Sequence, residues 1–194
     1  MKVGRTLSEL AREVERQAGA KRDYIVGANA LQFELPPEPA AGVLMALQDG
    51  SRQQYPVREL AHRQIGERIG IPARYYDRML REAPALLATN ANHWFAADGE
   101  KRMVRTLDGH VRAFLSNRYQ RIDNHEVAEV VLPTLMESGR DLQIVSCEVT
   151  ERRLYIKATD RSIVAEVKGS KRVGDLVEAG IMITNSEVGL GAVQ

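Results

Sequence analysis

Between residues 101 and 121 the chain carries six Lys or Arg side chains against a single acid, Asp108. In KRMVRTLDGHVRAFLSNRYQR, two strand-forming runs flank Asp108-Gly109, a dipeptide that tolerates the positive φ angles of a two-residue hairpin turn. Pairing outward from Leu107 opposite His110 places Thr106 with Val111, Arg105 with Arg112, Val104 with Ala113 and Met103 with Phe114. One face then carries Val104, Thr106, Val111, Ala113 and Leu115, and the other Met103, Arg105, His110, Arg112 and Phe114. Two guanidinium groups side by side repel each other unless an anion lies between them. The register therefore predicts either phosphate contacts or a solvated face served by carboxylates from elsewhere in the fold. Arg118, Tyr119 and Arg121 extend the basic stretch.

A second surface of the same kind begins at Leu142, where the apolar period becomes two and predicts a strand pair turning near Glu151-Arg152. Val145, Cys147, Val149, Leu154, Ile156 and Ala158 fall on one face. Ser146, Glu148, Arg153, Tyr155 and Lys157 fall on the other. Arg105, Arg112, Arg118, Arg121, Arg153 and Lys157 are thus candidate phosphate contacts, and Phe114, Tyr119 and Tyr155 candidate stacking faces for bases.

No catalytic signature accompanies these groups. The sequence has no His-Glu-x-x-His, phosphate-binding glycine loop or Gly-x-Ser-x-Gly elbow, and His62, His93, His110 and His125 lack metal-ligand spacing. Neither a metal nor a cofactor is expected. The lone Cys147 excludes an internal disulfide and falls on the apolar face of its strand, where a small core residue is the expected role. Asp123, Glu126 and Glu148 are the carboxylates a metal-dependent nuclease would use, but Asp123 and Glu126 have the spacing of a helix-capping box.

The elements that must hold these residues are legible in outline. Thr6-Leu7-Ser8-Glu9 is a capping box, and Leu7, Leu10, Ala11 and Val14 predict an amphipathic helix over 6–18. Strands are expected at 24–26, 31–35 and 43–47, the last ending in an Asp49-Gly50 turn. Leu60, Ala61, Ile65 and Ile69 predict a helix stopped by Gly70, and Ile71-Pro72 opens another through Tyr75, Tyr76, Met79 and Leu80. Helix, Gly-containing turn, helix is the outline of a helix-turn-helix, an outline also common in helix pairs that only pack. A groove-reading role requires Ala73, Arg74 and Asp77 or Arg78 to project together into solvent. Helical character continues around Pro84, and His93 and Trp94 are expected in the core. Asp123 or Asn124 starts a helix with Val127, Val130, Val131 and Leu135 on its apolar stripe, and Pro133 is expected to kink or end it.

Composition sets the class. The 194 residues are 44% hydrophobic and 27% charged, a globular balance with no apolar run of membrane-spanning length and no leader-like start. A cytoplasmic protein follows as the expectation. With a net charge of only +1, nucleic-acid affinity must come from local patches. The expected architecture is one α+β domain over 1–194: an antiparallel sheet of hairpins with helices mainly on one side and a helical insertion at about 57–90.

Several phrases together resemble a phage- and plasmid-related family of unknown function, domain of unknown function 932. They are GRTLSELAREVERQAGAKRDYI, ELAHRQIGERIGIPARYYDRML, NHWF, MVRTLDGHVRAFLSNRYQRIDN, VTERRLYIKA and TNSEVGLGA. The resemblance covers nearly the whole chain. It implies a setting in mobile elements, and a chain that normally continues past Asn185-Ser186-Glu187-Val188-Gly189. An exposed Gly180–Thr184 strand edge, with a homo-oligomer or disorder after about Asn185, is the corresponding expectation. By analogy with the basic hairpin sheets of phage single-strand annealing proteins, the leading expectation is single-stranded DNA binding in recombination or replication. Its rivals are a metal-dependent nucleic-acid-processing enzyme and a mobile-element protein that binds a host protein.

Overall fold

Capping chemistry opens two long helices. In the computed structural model, which describes residues 4–37, 42–47, 53–138, 141–166 and 176–191, the Glu9 carboxylate accepts the Thr6 N–H at 2.8 Å. The Glu9 N–H in turn donates to Thr6 Oγ1 at 3.3 Å, and α1 (Leu7–Ala20) begins there. Asp123 and Glu126 do the same for α5 (Asn124–Glu137), with the Asp123 N–H donating to Glu126 at 2.9 Å. Pro133 neither ends that helix nor stops its last turn. The pyrrolidine lies on an exposed side and Glu129, whose carbonyl loses its donor, is also exposed, while the Thr134 hydroxyl donates to the Val130 carbonyl at 2.6 Å.

The fold is α+β, with five α-helices and three antiparallel three-stranded sheets among the described residues. The chain divides into two compact units, residues 20–120 and the segments before and after them. The Asp49-Gly50 turn lies outside the described residues.

The unit 20–120 contains β1 (Arg22–Gly27), β2 (Leu31–Glu34), β3 (Leu44–Leu47), β4 (Gln54–Pro56), α2 (Glu59–Arg68), α3 (Ala73–Glu82), α4 (Pro84–Ala97), β5 (Lys101–Leu107) and β6 (His110–Ser116). The sheets run β1-β5-β6 and β2-β3-β4. Phe33, Met45 and Leu47 of one sheet, Val104, Val111 and Phe114 of the other, and Ile65, Tyr76, Leu87 and Phe95 of the helices share one core. The helical stretch thus reaches Ala97, and β4 occupies a polar segment that carries no apolar alternation. Asn92 of α4 joins helix to sheet: its side-chain carbonyl accepts the Phe33 N–H at 2.6 Å and its amide donates to the Phe33 carbonyl at 2.9 Å. In the Asn-His-Trp-Phe phrase, Phe95 is therefore the core residue. His93 and Trp94 face solvent, the latter 48% exposed, contrary to the expected buried pair.

The β5–β6 hairpin turns at Asp108-Gly109, with φ of 51° and 72°. Leu107 pairs with His110 and Thr106 with Val111 as expected. A β-bulge then inserts Arg112 as an extra residue, so Arg105 lies opposite Ala113, Val104 opposite Phe114 and Met103 opposite Leu115. The expected Arg105–Arg112 pairing does not occur.

In the other unit, β7 (Leu142–Val149), β8 (Leu154–Glu166) and β9 (Leu176–Asn185) form a sheet in that order, and α1 and α5 contribute to its core. Cys147, Val149, Leu154, Ile156 and Ala158 share the buried face, and the Cys147 thiol is a core group. Val145 is the exception at 41% exposed, because a bulge between Ile144 and Ser146 breaks the alternation. Order continues past Asn185. Ser186, Glu187 and Val188 are buried, the Asn124 N–H donates to the Glu187 carboxylate at 2.7 Å, and Asn185 donates to Ile122 and Asn124, so this phrase holds the start of α5.

Candidate nucleic-acid interface

Burial divides the expected contact residues into two groups. Arg105 is wholly buried, and it lies on β5 directly opposite Asp23 of β1. Its Nε donates to Asp23 Oδ1 at 2.7 Å and its Nη2 to Oδ2 at 3.0 Å, a bidentate pair that satisfies the guanidinium internally. Arg112, in the bulge, is 4% exposed, and Phe114 is 4% exposed and meets the Phe95 ring at a centroid distance of 6.1 Å. These three are corrections to the expected interface: both faces of the hairpin are covered, so it presents neither free guanidinium groups nor an open ring. Arg102 is likewise held, by Glu100 at 2.6 Å and Asp98 at 3.4 Å.

Arg153 is also engaged. It is half-buried, and its guanidinium donates to the Leu190 carbonyl at 2.5 Å, tying the β7–β8 turn to the Ser186–Gly191 segment. A phosphate would have to compete with that bond.

Five expected residues do reach solvent. Arg118 and Arg121 are exposed, and Tyr119 is half-buried after a tight turn in which its N–H donates to the Ser116 carbonyl at 3.0 Å. Tyr155 and Lys157 stand two apart on β8, which places both on the sheet face opposite Cys147, Leu154 and Ile156. Glu148 is the cross-strand neighbour of Tyr155, and it is answered by Arg5, whose Nε lies 2.7 Å from the carboxylate. This contact raises the Arg5 pKa. Ser146 and Met182 flank Lys157, and among the described residues Lys157 makes no ion pair. Alternation locates this face correctly because its partner face is the core.

The carboxylates of the enzymatic alternative are occupied in the same manner, Asp123 and Glu126 with each other's backbone and Glu148 with Arg5. Among the described residues no three His, Cys, Asp or Glu side chains gather as a metal-binding group.

A further basic element is more exposed than the hairpin. On α3, Tyr76 and Met79 are 2% exposed, while Ala73, Arg74, Tyr75, Asp77, Arg78, Arg81 and Glu82 all face solvent. At about 100° per residue, Arg74, Arg78 and Arg81 lie within about 60° of one another, opposite the buried pair. The i, i+4, i+7 spacing of the arginines is the signal for this stripe in the sequence. On the buried side, His62 of α2 shares a hydrogen bond of 2.8 Å with the Tyr76 hydroxyl. Burial holds the His62 pKa down to about 4, against the opposing charge of Asp77 and a bond to the Val57 backbone, and burial pushes the Tyr76 hydroxyl up.

No family model, curated protein or solved structure matches the chain. Among the described residues no helix is long and apolar enough to cross a membrane.

Proposed function

We propose that the protein binds nucleic acid, with single-stranded DNA lying along the outward face of β8, in recombination or replication of a phage or plasmid. The observation that carries this reading is the Tyr155–Lys157 pair: a 38% exposed ring and an exposed ammonium without an ion pair among the described residues, on the sheet face opposite the core. Two residues of a strand span about 7 Å. A base stacked on Tyr155 therefore leaves its phosphate within reach of Lys157. Arg121 is the further contact within the same unit on this reading, and Arg118 and Tyr119 are separate candidate contacts of the unit 20–120. Membership of the phage- and plasmid-related family belongs to the same proposal and rests on the phrases it shares with the chain.

The test is binding of a fluorescent oligothymidine across a salt series. Tyr155→Ala should weaken binding about 5- to 150-fold, the value of one stacked base. Lys157→Ala should make the slope of log affinity against log salt shallower by about 0.7. Affinity and slope unchanged in both variants would overturn the reading.

A further inference from the structure

The hairpin arginines are buried, but three arginines of α3 are not, and the way α2 delivers α3 to the surface is specific. The Ile71 N–H donates to the Gly66 carbonyl at 2.9 Å and the Gly70 N–H to the Glu67 carbonyl at 3.2 Å. Gly70 has a φ of +70°. This is a Schellman closure, and it stops α2 and redirects the chain through four residues, Ile69 to Pro72, into α3. The helices meet at Gly66, where a Cβ would stand 2.9 Å from Tyr76 Cδ2. A small residue in the first helix, a left-handed glycine in the turn and two buried anchors in the second are what a helix-turn-helix needs. The face opposite those anchors is the arginine stripe.

We propose that α3 is a reading helix for duplex DNA, with Arg74, Arg78 and Arg81 directed into the major groove. This site lies in the unit 20–120 and does not depend on the β8 face. Dimensions favour a duplex over a single strand: an α-helix is about 10–12 Å across, and the major groove is about 12 Å wide. Arg74 to Arg81 spans about 10.5 Å of helix axis, or about three base pairs at 3.4 Å each. Arginine is the side chain whose fork matches the O6 and N7 acceptors of guanine, so the predicted target is a guanine-containing site of about three base pairs. Among the described residues neither Arg74 nor Arg81 takes part in an ion pair. Arg78 pairs with Glu82 at 2.8 Å, with side chains 70% and 56% exposed, a contact that salt and solvent weaken enough for a base edge to replace it. Asp77 flanks the stripe and would repel phosphate on its side, which orients the helix across the groove.

The experiment is affinity selection of the full chain against a duplex pool with a randomised core. Anisotropy then follows on the enriched duplex, a scrambled duplex and oligothymidine. Enrichment of a short guanine-containing core is expected. Arg74→Ala, Arg78→Ala and Arg81→Ala should each lower affinity for the enriched duplex about 5- to 150-fold and relax the preference at one position, with oligothymidine binding unchanged. The matching Arg→Lys variants keep the charge and lose the fork, so they should retain affinity for the scrambled duplex while losing the preference. All three positions of substitution are on the surface, and unchanged circular-dichroism melts of the six variants would confirm intact folding. Equal affinity for enriched and scrambled duplexes overturns the proposal. So does duplex binding that falls in Lys157→Ala but not in the α3 variants. Absence of oligothymidine binding by the unsubstituted chain, with the α3 effects on duplex binding intact, would overturn only the β8 reading.

Discussion

Removing Asp23 should damage this protein far more than removing any exposed acid. Arg105 is wholly buried and Asp23 is its cross-strand partner, with donor–acceptor distances of 2.7 and 3.0 Å. Asp23→Ala leaves a buried guanidinium without the carboxylate that compensates it, and deleting one member of a buried ion pair costs about 3–5 kcal/mol. For a unit of about 100 residues that corresponds to a melting-temperature drop of at least ~12 °C. Arg105→Ala adds a cavity to the loss of charge and should fall in the same range. A reading in which Arg105 and Arg112 merely repel each other predicts the opposite, a neutral or slightly stabilising change of a few tenths of a kcal/mol. The double variant Asp23→Leu with Arg105→Met removes both charges while keeping the volume, and should come within ~1 kcal/mol of the parent or exceed it. Urea unfolding followed by Trp94 fluorescence is the assay, because Trp94 is the sole tryptophan and belongs to the same unit. A loss below ~1 kcal/mol in Asp23→Ala, or additive effects in the double-mutant cycle, would refute the argument.

Acid should weaken the unit that holds His62. An unfolded histidine takes up its proton near 6.5 and the folded one only near 4, so the stabilisation is complete above pH 6.5 and disappears as the pH falls from 6.5 to 4, by roughly 3 kcal/mol in total. His62→Gln should flatten stability against pH in that window, and an unchanged slope in the variant would count against it. The outer edge of β9 has no partner strand among the described residues, and Leu176, Val177 and Met182 are more than half exposed along it. We therefore expect β9 to pair with a second copy, and Met182→Lys to shift the mass seen by light scattering toward the monomer.

Local rules carried much of this architecture. Asp108-Gly109 determines its own turn because few other dipeptides accept φ of 51° and 72° together, and Thr6–Glu9 and Asp123–Glu126 satisfy their helix starts within four residues. Alternation in β8 was sufficient to separate Leu154 and Ile156 from Tyr155 and Lys157, since that sheet has one covered face and one open one. The same alternation misleads in β5 and β6, where both faces are covered. Only the long-range pairing with β1 brings Asp23 to Arg105, 82 positions away in sequence, and only the bulge at Arg112 breaks the pairing that the turn by itself implies. Solvent exposure of a charged residue is a property of what packs over it, and that partner is chosen by the tertiary fold. The arginine stripe of α3 lies between these cases. Its spacing is written in the sequence, but its exposure depends on Tyr76 and Met79 turning to the core, and on the absence of a Cβ at Gly66 that lets Tyr76 lie against α2.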